Sequence, residues 1–168
     1  MKILIQRVKE ASVFLPEEKV IKAKIHKGLL VFIGFCKEDT TKTEIDYGKI
    51  AKKTLNLRIF EDENKKMNLS VIDIQGQILL VSQFTLCGDP YQGNRPSFTN
   101  AMPIEEAKTH YEKFCSIFKM SYLELYKEKF QQTISDKTLD FFVQTGKFQA
   151  MMDIPLINDG PVTFYLEF

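Results

Sequence analysis

The sequence predicts a single mixed α/β domain with several strands and two or three helices. Short apolar runs such as Leu29 to Phe35 are typical of strands covered on both faces. Longer stretches between them carry apolar residues at helical spacing. No repeat, low-complexity tract or linker divides the 168 residues, so we expect one domain over residues 1–168.

The charge and hydropathy of the chain limit its partners and its location. Its 23 basic and 22 acidic residues leave a net charge of +1, so any contact with a polyanion must be local. No apolar run approaches the roughly 20 residues that a membrane span needs, and the start of the chain lacks a signal-peptide pattern. We therefore expect a cytoplasmic protein with no membrane partner.

Three cysteines, Cys36, Cys87 and Cys115, are widely spaced along the chain. They form no CxxC pair and have no histidine cluster beside them, so the pattern indicates neither a disulfide framework nor a zinc site. We predict three reduced thiols, no metal site and no cofactor.

The first half of the chain alternates strands with one helix. Residues 2–8 are rich in β-formers, and Val20 to Ile25 alternate apolar residues with lysines, as in a half-buried strand. The buried strand Leu29 to Phe35 follows a turn signal. Oxygens within Asp39-Thr40-Thr41 are predicted to cap a helix that ends near Asn56, before a short strand in residues 57–60.

The second half begins with the strongest predicted strand, Gln77 to Leu86, and a loop rich in Gly, Pro and Asn. Pro103 is predicted to open a helix with one apolar face, and residues 120–137 to form a charged accessory helix. Three strands should end the chain, in residues 139–146, 148–157 and 161–168.

Polar residues interrupt the strongest strand at Ser82, Gln83 and Thr85. A buried hydroxyl or amide without a partner costs about 1–3 kcal/mol, so this run needs an explanation. Either the side chains bond to backbone groups at the strand end, or they line a site, because strand-to-loop junctions commonly carry function. The sequence alone leaves both open.

Known catalytic signatures are missing from the sequence. No GxSxG, P-loop, GxGxxG or HExxH motif occurs, and we predict that His26 is a solvated turn residue and His110 a helix-surface residue. If the protein is an enzyme, it works without the usual histidine or cysteine.

A second interruption, Gly160-Pro161, lies close to the C-terminal residues. Taken alone, the pair predicts a hairpin turn between the last two strands. X-Pro bonds are also the only peptide bonds with an appreciable cis population.

Several motifs together resemble the D-aminoacyl-tRNA deacylase family, in order along the chain. Any one of them is weak evidence, but their shared order is specific. They are "QRV" (6–8), "LNLRIFEDENKKMNLS" (55–70), "VSQFTL" (81–86), "RPSF" (95–98) and "NDGPVT" (158–163).

The resemblance implies a barrel-like sheet core and a homodimer that hydrolyses the ester between a D-amino acid, or glycine, and the 3′-terminal adenosine of a tRNA. It implies that Gly160-Pro161 is cis and enters the active site of the other subunit, where its carbonyl oxygens exclude an L side chain. A backbone wall of this kind achieves specificity by excluding the L enantiomer of the amino acid. By the same resemblance Arg7 holds the motif in place, and Asn158 belongs to it.

The pocket implied by the resemblance is lined by Ser82, Gln83, Phe84 and Thr85. Their backbone N–H groups would face the scissile carbonyl as in an oxyanion hole. Thr85 has no adjacent base to activate it, so we expect it to orient substrate rather than form an acyl-enzyme. Further candidates are the rim residues Pro96, Ser97 and Phe98, and Met152, which is equally compatible with a core position.

Two departures and two alternatives accompany the resemblance. The loop 88–95 has few basic residues, which predicts fewer phosphate contacts, and residues around 116–141 look like an insert. One alternative is a sibling deacylase with a trans Gly-Pro bond that acts on L-alanyl-tRNA. The other is a non-catalytic protein that binds the tRNA end.

Overall fold

The computed structural model describes residues 1–41, 45–91 and 93–168, and it confirms a mixed α/β architecture with a barrel-like sheet. Six strands form the main sheet, and two short ones, β4 and β5, form a separate hairpin. The strands are β1 (Lys2–Leu15), β2 (Val20–Ile25), β3 (Gly28–Gly34), β4 (Phe60–Glu61), β5 (Met67–Leu69), β6 (Gln77–Ser82), β7 (Val143–Thr145) and β8 (Leu156–Glu167).

The long strand β1 organises the sheet because it pairs along both edges. Ala11 is paired with Ile25 of β2 and with Leu156 of β8, so β2 and β8 lie on opposite edges of β1. β3 pairs antiparallel with the first half of β1, and β6 and β7 continue the sheet in parallel. The side chain of Gln144 in β7 then bonds to the backbone of Lys24 in β2, which nearly closes the sheet into a barrel.

Buried apolar side chains form two clusters, one on each face of the sheet. The larger cluster joins the outer face to the helices and includes Ile3, Leu55 and Phe114. The smaller one fills the inside of the curled sheet and includes Val13 and Leu79. Alternation along β6 separates the two sets, because Ile78 and Leu80 belong to the larger cluster and Leu79 and Val81 to the smaller one, as the two-residue period of a strand requires.

The described residues contain three α-helices: α1 (Tyr47–Leu55), α2 (Ile104–Phe130) and α3 (Asp136–Phe142). The predicted N-cap of α1 is wrong, because Asp46 caps this helix with its carboxylate on the Lys49 amide. Asp39 is instead buried and accepts a hydrogen bond from the Met1 amino group at 2.6 Å.

The segment predicted as an accessory helix belongs to α2, which runs unbroken for 27 residues to Phe130. A separate short helix, α3, then covers residues 136–142, where part of a strand was predicted. Aromatic rings of Tyr122, Tyr126 and Phe142 pack together and join the two helices. That residues 116–141 are an insert stays a prediction.

Two predicted strands end differently in the structure. β6 stops at Ser82, and Phe84–Cys87 form a 3₁₀ turn. Residues 148–155 are not a strand, since only a single bridge between Asp153 and Phe14 precedes β8. No helix in residues 1–41, 45–91 and 93–168 is long and apolar enough to cross a membrane.

The prediction of three reduced thiols is wrong for two of them. Cys36 and Cys87 are joined in a disulfide, with their Cα atoms 5.5 Å apart. Parallel pairing of β3 with β6 explains this, because it places Ile33 beside Ser82 and so brings the two following turns together. Cys115 is free, as predicted, and is buried in α2, where its thiol packs as a small apolar side chain.

Candidate active site

The segment Ser82 to Thr85 leaves the sheet at the end of β6 and is held there by β3. The Gln83 amide donates to the Ile33 carbonyl at 2.7 Å. Gly34 allows this approach, because a Cβ at that position would lie 2.9 Å from the Gln83 carbonyl oxygen. The strand end therefore positions the segment through backbone contacts.

The 3₁₀ turn begins immediately after Gln83, whose side chain makes no cap hydrogen bond within the part of the chain that the structure describes. The amides of Phe84 and Thr85 stand at the start of this turn, where backbone N–H groups lack partners inside the helix. Both side chains are exposed, Phe84 by 56%. Gln83 donates its side-chain amide to Thr85 Oγ1. The backbone amides of Phe84 and Thr85 therefore form a short row of candidate hydrogen-bond donors, the donor row, at this exposed end of the segment.

The predicted rim lies beside this row. The rings of Phe84 and Phe98 meet edge to face, with centroids 5.2 Å apart. Backbone bonds of 2.8 and 2.9 Å between Asp89 and Ser97 close the intervening loop at its base. Pro96 is exposed next to them. The structure thus brings the segment 82–85 and the rim residues together, and Gln92 in the loop lies outside the described residues.

The motif around Gly160 is a bulge in β8 rather than a hairpin turn. Thr163 pairs with Gln6 and Asn158 pairs with Val8, so the residues 159–162 stand opposite the single residue Arg7. The strand continues in the same direction on both sides of the bulge. The hairpin expectation is therefore wrong, and the extra residues are displaced from the ladder.

Arg7 holds the base of this bulge. Its Nε atom donates to the Asp159 carbonyl oxygen at 2.9 Å and lies 3.2 Å from the Asp159 carboxylate. Another guanidinium nitrogen donates to the Ile59 carbonyl, and the group lies 6.0 Å from the centroid of the Phe60 ring. Arg7 is only 6% exposed, so it is a buried anchor of the bulge and not a surface charge.

The tip of the bulge is exposed and held by Asn158. The Asn158 side chain donates to the Arg7 carbonyl at 3.0 Å. A Cβ at Gly160 would lie 2.2 Å from Asn158 Oδ1, so glycine is required while that bond is kept. The Gly160-Pro161 bond is cis, and both residues are exposed.

Within one chain the bulge and the segment 82–85 are far apart. A row of paired residues runs from Thr163 through Gln6 and Leu30 to Leu79, and Ser82 lies three residues further along β6. With ordinary strand spacing, the path over the sheet from Thr163 to Ser82 covers about 14 Å across the strands and about 10 Å along them. Two intervening strands separate the bulge from the candidate pocket of the same chain.

Met152 and the histidines occupy other places. Met152 packs against the inner cluster, and a Cβ at Gly146 would lie 3.0 Å from its sulfur. His26 is exposed, as predicted. His110 is half-buried and contacts the Tyr47 hydroxyl, so its prediction as a surface residue is wrong.

Burial and, to a smaller extent, the negative charge of Asp39 raise the pKa of Tyr47 to about 12, so Tyr47 stays protonated at neutral pH.

No potential metal site is found in residues 1–41, 45–91 and 93–168, because no three His, Cys, Asp or Glu side chains come together there.

Sequence reasoning missed three contributors to the site. Asp159 lies within the motif "NDGPVT", where the sequence assigns it no role, although its carboxylate pairs with Arg7. Gly34 and the Cys36–Cys87 bond position the segment 82–85, and neither has a local signal. Their contribution depends on strand pairing.

Comparison with known proteins shows the same family along nearly the whole chain. The family model of D-Tyr-tRNA(Tyr) deacylase matches residues 4–167. A D-aminoacyl-tRNA deacylase of Thermotoga petrophila is 48% identical, over 99% of this chain and 97% of its own. One from Exiguobacterium sp. is 46% identical, over 99% and 98%.

Solved structures agree in fold. One described as "c-Myc DNA Unwinding Element Binding Protein" has a TM-score of 0.76 at 38% identity, covering 100% of this chain and 99% of its own. Another, described as a probable eukaryotic D-amino acid tRNA deacylase, has a TM-score of 0.76 at 16% identity, covering 98% and 97%, which shows the shared fold alone.

Proposed function

The chain belongs to the D-aminoacyl-tRNA deacylase family, and we propose that it hydrolyses the ester that joins a D-amino acid to the 3′-terminal adenosine of a tRNA. The products are the free amino acid and the tRNA. The proposal is carried by the presence on one chain of an exposed donor row, the amides of Phe84 and Thr85, and of a bulge at residues 159–162 that Arg7 and Asn158 hold in place. A cytoplasmic location follows from the tRNA substrate.

The donor row stabilises the charge that develops on the ester carbonyl. The amides of Phe84 and Thr85 open the 3₁₀ turn, and amides placed where an oxyanion forms lower the barrier without moving during the reaction. Removal of one such donor in other enzymes costs about 10²–10³ in rate. An aminoacyl ester is already activated, so an oriented water completes the hydrolysis.

Thr85 orients the substrate rather than attacking it. Its hydroxyl accepts a hydrogen bond from the Gln83 side-chain amide, which is a donor and cannot remove a proton. A hydroxyl nucleophile needs a neighbouring base. Phe84 and Phe98 supply apolar surface on which the terminal adenine stacks, while Pro96 and Ser97 complete the rim.

The bulge supplies the chiral selection. Arg7 and Asn158 hold its base through bonds to Asp159 and to the backbone. A backbone wall at Gly160-Pro161 rejects an L side chain by steric clash, whereas a D side chain points away and glycine has none. The enzyme therefore accepts glycyl-tRNA as well and acts in proofreading.

A homodimer brings the bulge of one subunit to the pocket of the other. The bulge is two strands away from the pocket of its own chain. β8 pairs only with β1 among the described strands and exposes Ile157, Phe164 and Tyr165 by 50%, 39% and 49%. An apolar edge strand of this kind is suited to association with a second copy.

The test is to follow ester loss from D-Tyr-tRNA and L-Tyr-tRNA with the purified protein. We expect rapid loss from the D substrate and a rate at the spontaneous level from the L substrate. Equal acceleration of both would contradict the chiral selection. Loss of neither, with tRNA still bound, would instead support a non-catalytic protein that binds the tRNA end.

L-Alanyl-tRNA in the same assay tests the sibling activity. The curated relatives at 44–48% identity are D-aminoacyl-tRNA deacylases, which favours the D substrate. Faster hydrolysis of L-alanyl-tRNA than of D-Tyr-tRNA would contradict our assignment.

A further inference from the structure

We propose that Cys36 and Cys87 form a reversible, redox-controlled disulfide that holds the candidate pocket in its active geometry. The proposal rests on the proposed function for its activity measurement, whereas the bond and its mechanical effect are measured without substrate.

The disulfide ties the catalytic turn to the sheet. Cys87 is the last residue of the 3₁₀ turn that begins at Phe84 and contains Thr85. Cys36 lies two residues after Gly34, the last residue of β3, and the two cysteines are 51 residues apart in sequence. Their residues are 4% and 2% exposed. A covalent bond at this point fixes the end of the turn whose first amides face the substrate.

The second side of the pocket is anchored at the same cysteine. The residues on either side of Cys36 bond to the stretch that follows Phe98, with Lys37 donating to the Asn100 carbonyl at 2.9 Å and Met102 donating to the Phe35 carbonyl at 3.0 Å. Phe98 in turn packs edge to face on Phe84. Both sides of the pocket are therefore held at Cys36, one of them through the disulfide.

The backbone of Cys36 is also held by a hydrogen bond to the buried side chain of Asp39. Its amide donates to Asp39 Oδ2 at 2.7 Å, while Asp39 Oδ1 accepts from the Met1 amino group at 2.6 Å. This buried ion pair makes Cys36 the stationary partner. When the bond is broken, we expect the end of the turn at Cys87 to move, because the backbone bond to β3 is made at the opposite end of the turn, by the Gln83 amide, and Pro90 and Tyr91 after Cys87 are exposed.

The chemistry is thiol–disulfide exchange with a low-molecular-weight disulfide such as glutathione disulfide. The thiolate of one cysteine attacks a sulfur of the oxidant, which releases one thiol and leaves a mixed disulfide. The second cysteine attacks the protein sulfur of that intermediate and releases the second thiol. The protein loses two electrons and two protons, and the oxidant gains them; a dithiol reverses the reaction.

Local opening of the turn and of the exposed residues Pro90 and Tyr91 after it gives these reagents access to the buried pair. In reducing compartments a disulfide is usually transient and serves catalysis or sensing rather than permanent structure. The arrangement therefore predicts an enzyme whose activity responds to the thiol–disulfide balance around it.

The experiment compares the wild type with the double variant Cys36→Ser/Cys87→Ser, and uses Cys115→Ser as the matched control. Each protein is treated with glutathione disulfide or with a dithiol and then alkylated under denaturing conditions for mass measurement. The wild type has three cysteines, so we expect one alkylated thiol after oxidation and three after reduction. Three thiols under both conditions would overturn the proposal.

The functional effect is measured at a temperature where both forms stay folded by circular dichroism. Reduction should lower kcat/KM on D-Tyr-tRNA by at least about 10-fold, since small misplacements of catalytic groups have large effects. Reoxidation should restore it. Cys115→Ser should respond in the same way. The double variant should have the kcat/KM of the reduced wild type after treatment with either reagent. An unchanged kcat/KM after confirmed reduction would contradict control of the pocket.

Amide hydrogen exchange separates this proposal from the proposed function. Reduction should speed exchange in residues 83–87 and leave the core of β3 unchanged. Faster exchange in residues 83–87 without any deacylase activity would support the role of the disulfide in holding the turn and would contradict the proposed reaction. Unchanged exchange in residues 83–87 would contradict that role of the disulfide, whatever the activity.

Discussion

Arg7 Nε lies 2.9 Å from the carbonyl oxygen of Asp159 and 3.2 Å from its carboxylate, so one buried guanidinium holds both the backbone and the side chain of the residue before Gly160. The same group donates to the Ile59 carbonyl, which lies in a different part of the fold. Arg7 thus fixes the direction in which the bulge leaves β8.

Replacement of Arg7 by Lys should reduce deacylation of D-Tyr-tRNA by at least about 10-fold, because an ammonium cannot reproduce the planar set of donors. Discrimination between D and L substrates should weaken as well. The measurement is kcat/KM for both substrates. Lys9→Ala is the matched control, since Lys9 is an exposed cation on the same strand. Equal effects of the two variants would contradict the role given to Arg7.

Replacement of Thr85 by Ala should slow single-turnover hydrolysis by about 10- to 100-fold, the scale of one lost orienting contact. Loss of a true nucleophile would remove nearly all enzymatic acceleration. Mass spectrometry of the quenched wild-type reaction should show no acyl-enzyme. Thr109→Ala, at an exposed site on α2, should leave the rate unchanged. An aminoacyl adduct on Thr85 would show that the orienting role is wrong.

The acidic side of the stability profile should depend on Asp73. Burial alone would raise the pKa of Asp73, but hydrogen bonds from Lys129 and from Ser70 outweigh it and hold the pKa below its ordinary value. A depressed pKa means that the ionised form stabilises the folded state above the unfolded pKa of about 3.9, and that this contribution is lost as the pH falls through the folded pKa.

Asp73→Asn should therefore lower the free energy of unfolding at pH 7 by only about 0.5–1 kcal/mol, because the exposed side chain of Lys129 leaves the pair partly screened by solvent. The difference from the wild type should shrink toward pH 3. Urea unfolding at both pH values checks this. If the difference in free energy of unfolding between the two proteins grew on acidification, it would contradict a lowered pKa of Asp73 in the folded state.

The thiol of Cys115 should be unreactive in the folded protein. Burial, only partly offset by a hydrogen bond with Tyr111, raises the pKa of Cys115 to about 12. At pH 8 the thiolate is then roughly 10³-fold scarcer than for a free cysteine. Iodoacetamide should modify Cys115 only after unfolding in guanidinium chloride. Rapid labelling of the native protein would contradict this environment.

The sequence predicts most of the fold because its strong signals are local. The run Leu29 to Phe35 and the apolar spacing after Pro103 agree with β3 and α2. Errors appear where a distant contact decides the outcome. Asp39 has the side chain of a helix cap, but it pairs with the Met1 amino group, and the cap falls to Asp46.

The candidate site shows the same division. The motifs at residues 82–85 and 158–163 were recognised, yet the local turn signal at Gly160-Pro161 suggested a hairpin. Only the register of β8 against β1 reveals a bulge opposite Arg7. Likewise, Cys36 and Cys87 become neighbours through the parallel pairing of β3 with β6, which no local pattern encodes.

The most direct test of a pocket completed by a second subunit is complementation in a heterodimer. One chain lacks Gly160 and Pro161, and the other carries Phe84→Ala and Thr85→Ala. Lys137→Glu in one chain allows separation by charge, because Lys137 is exposed. Each homodimer should be nearly inactive on D-Tyr-tRNA. Purified heterodimers should recover about half of the wild-type rate, since one of their two sites is then fully native. Heterodimers as inactive as the homodimers would contradict the account.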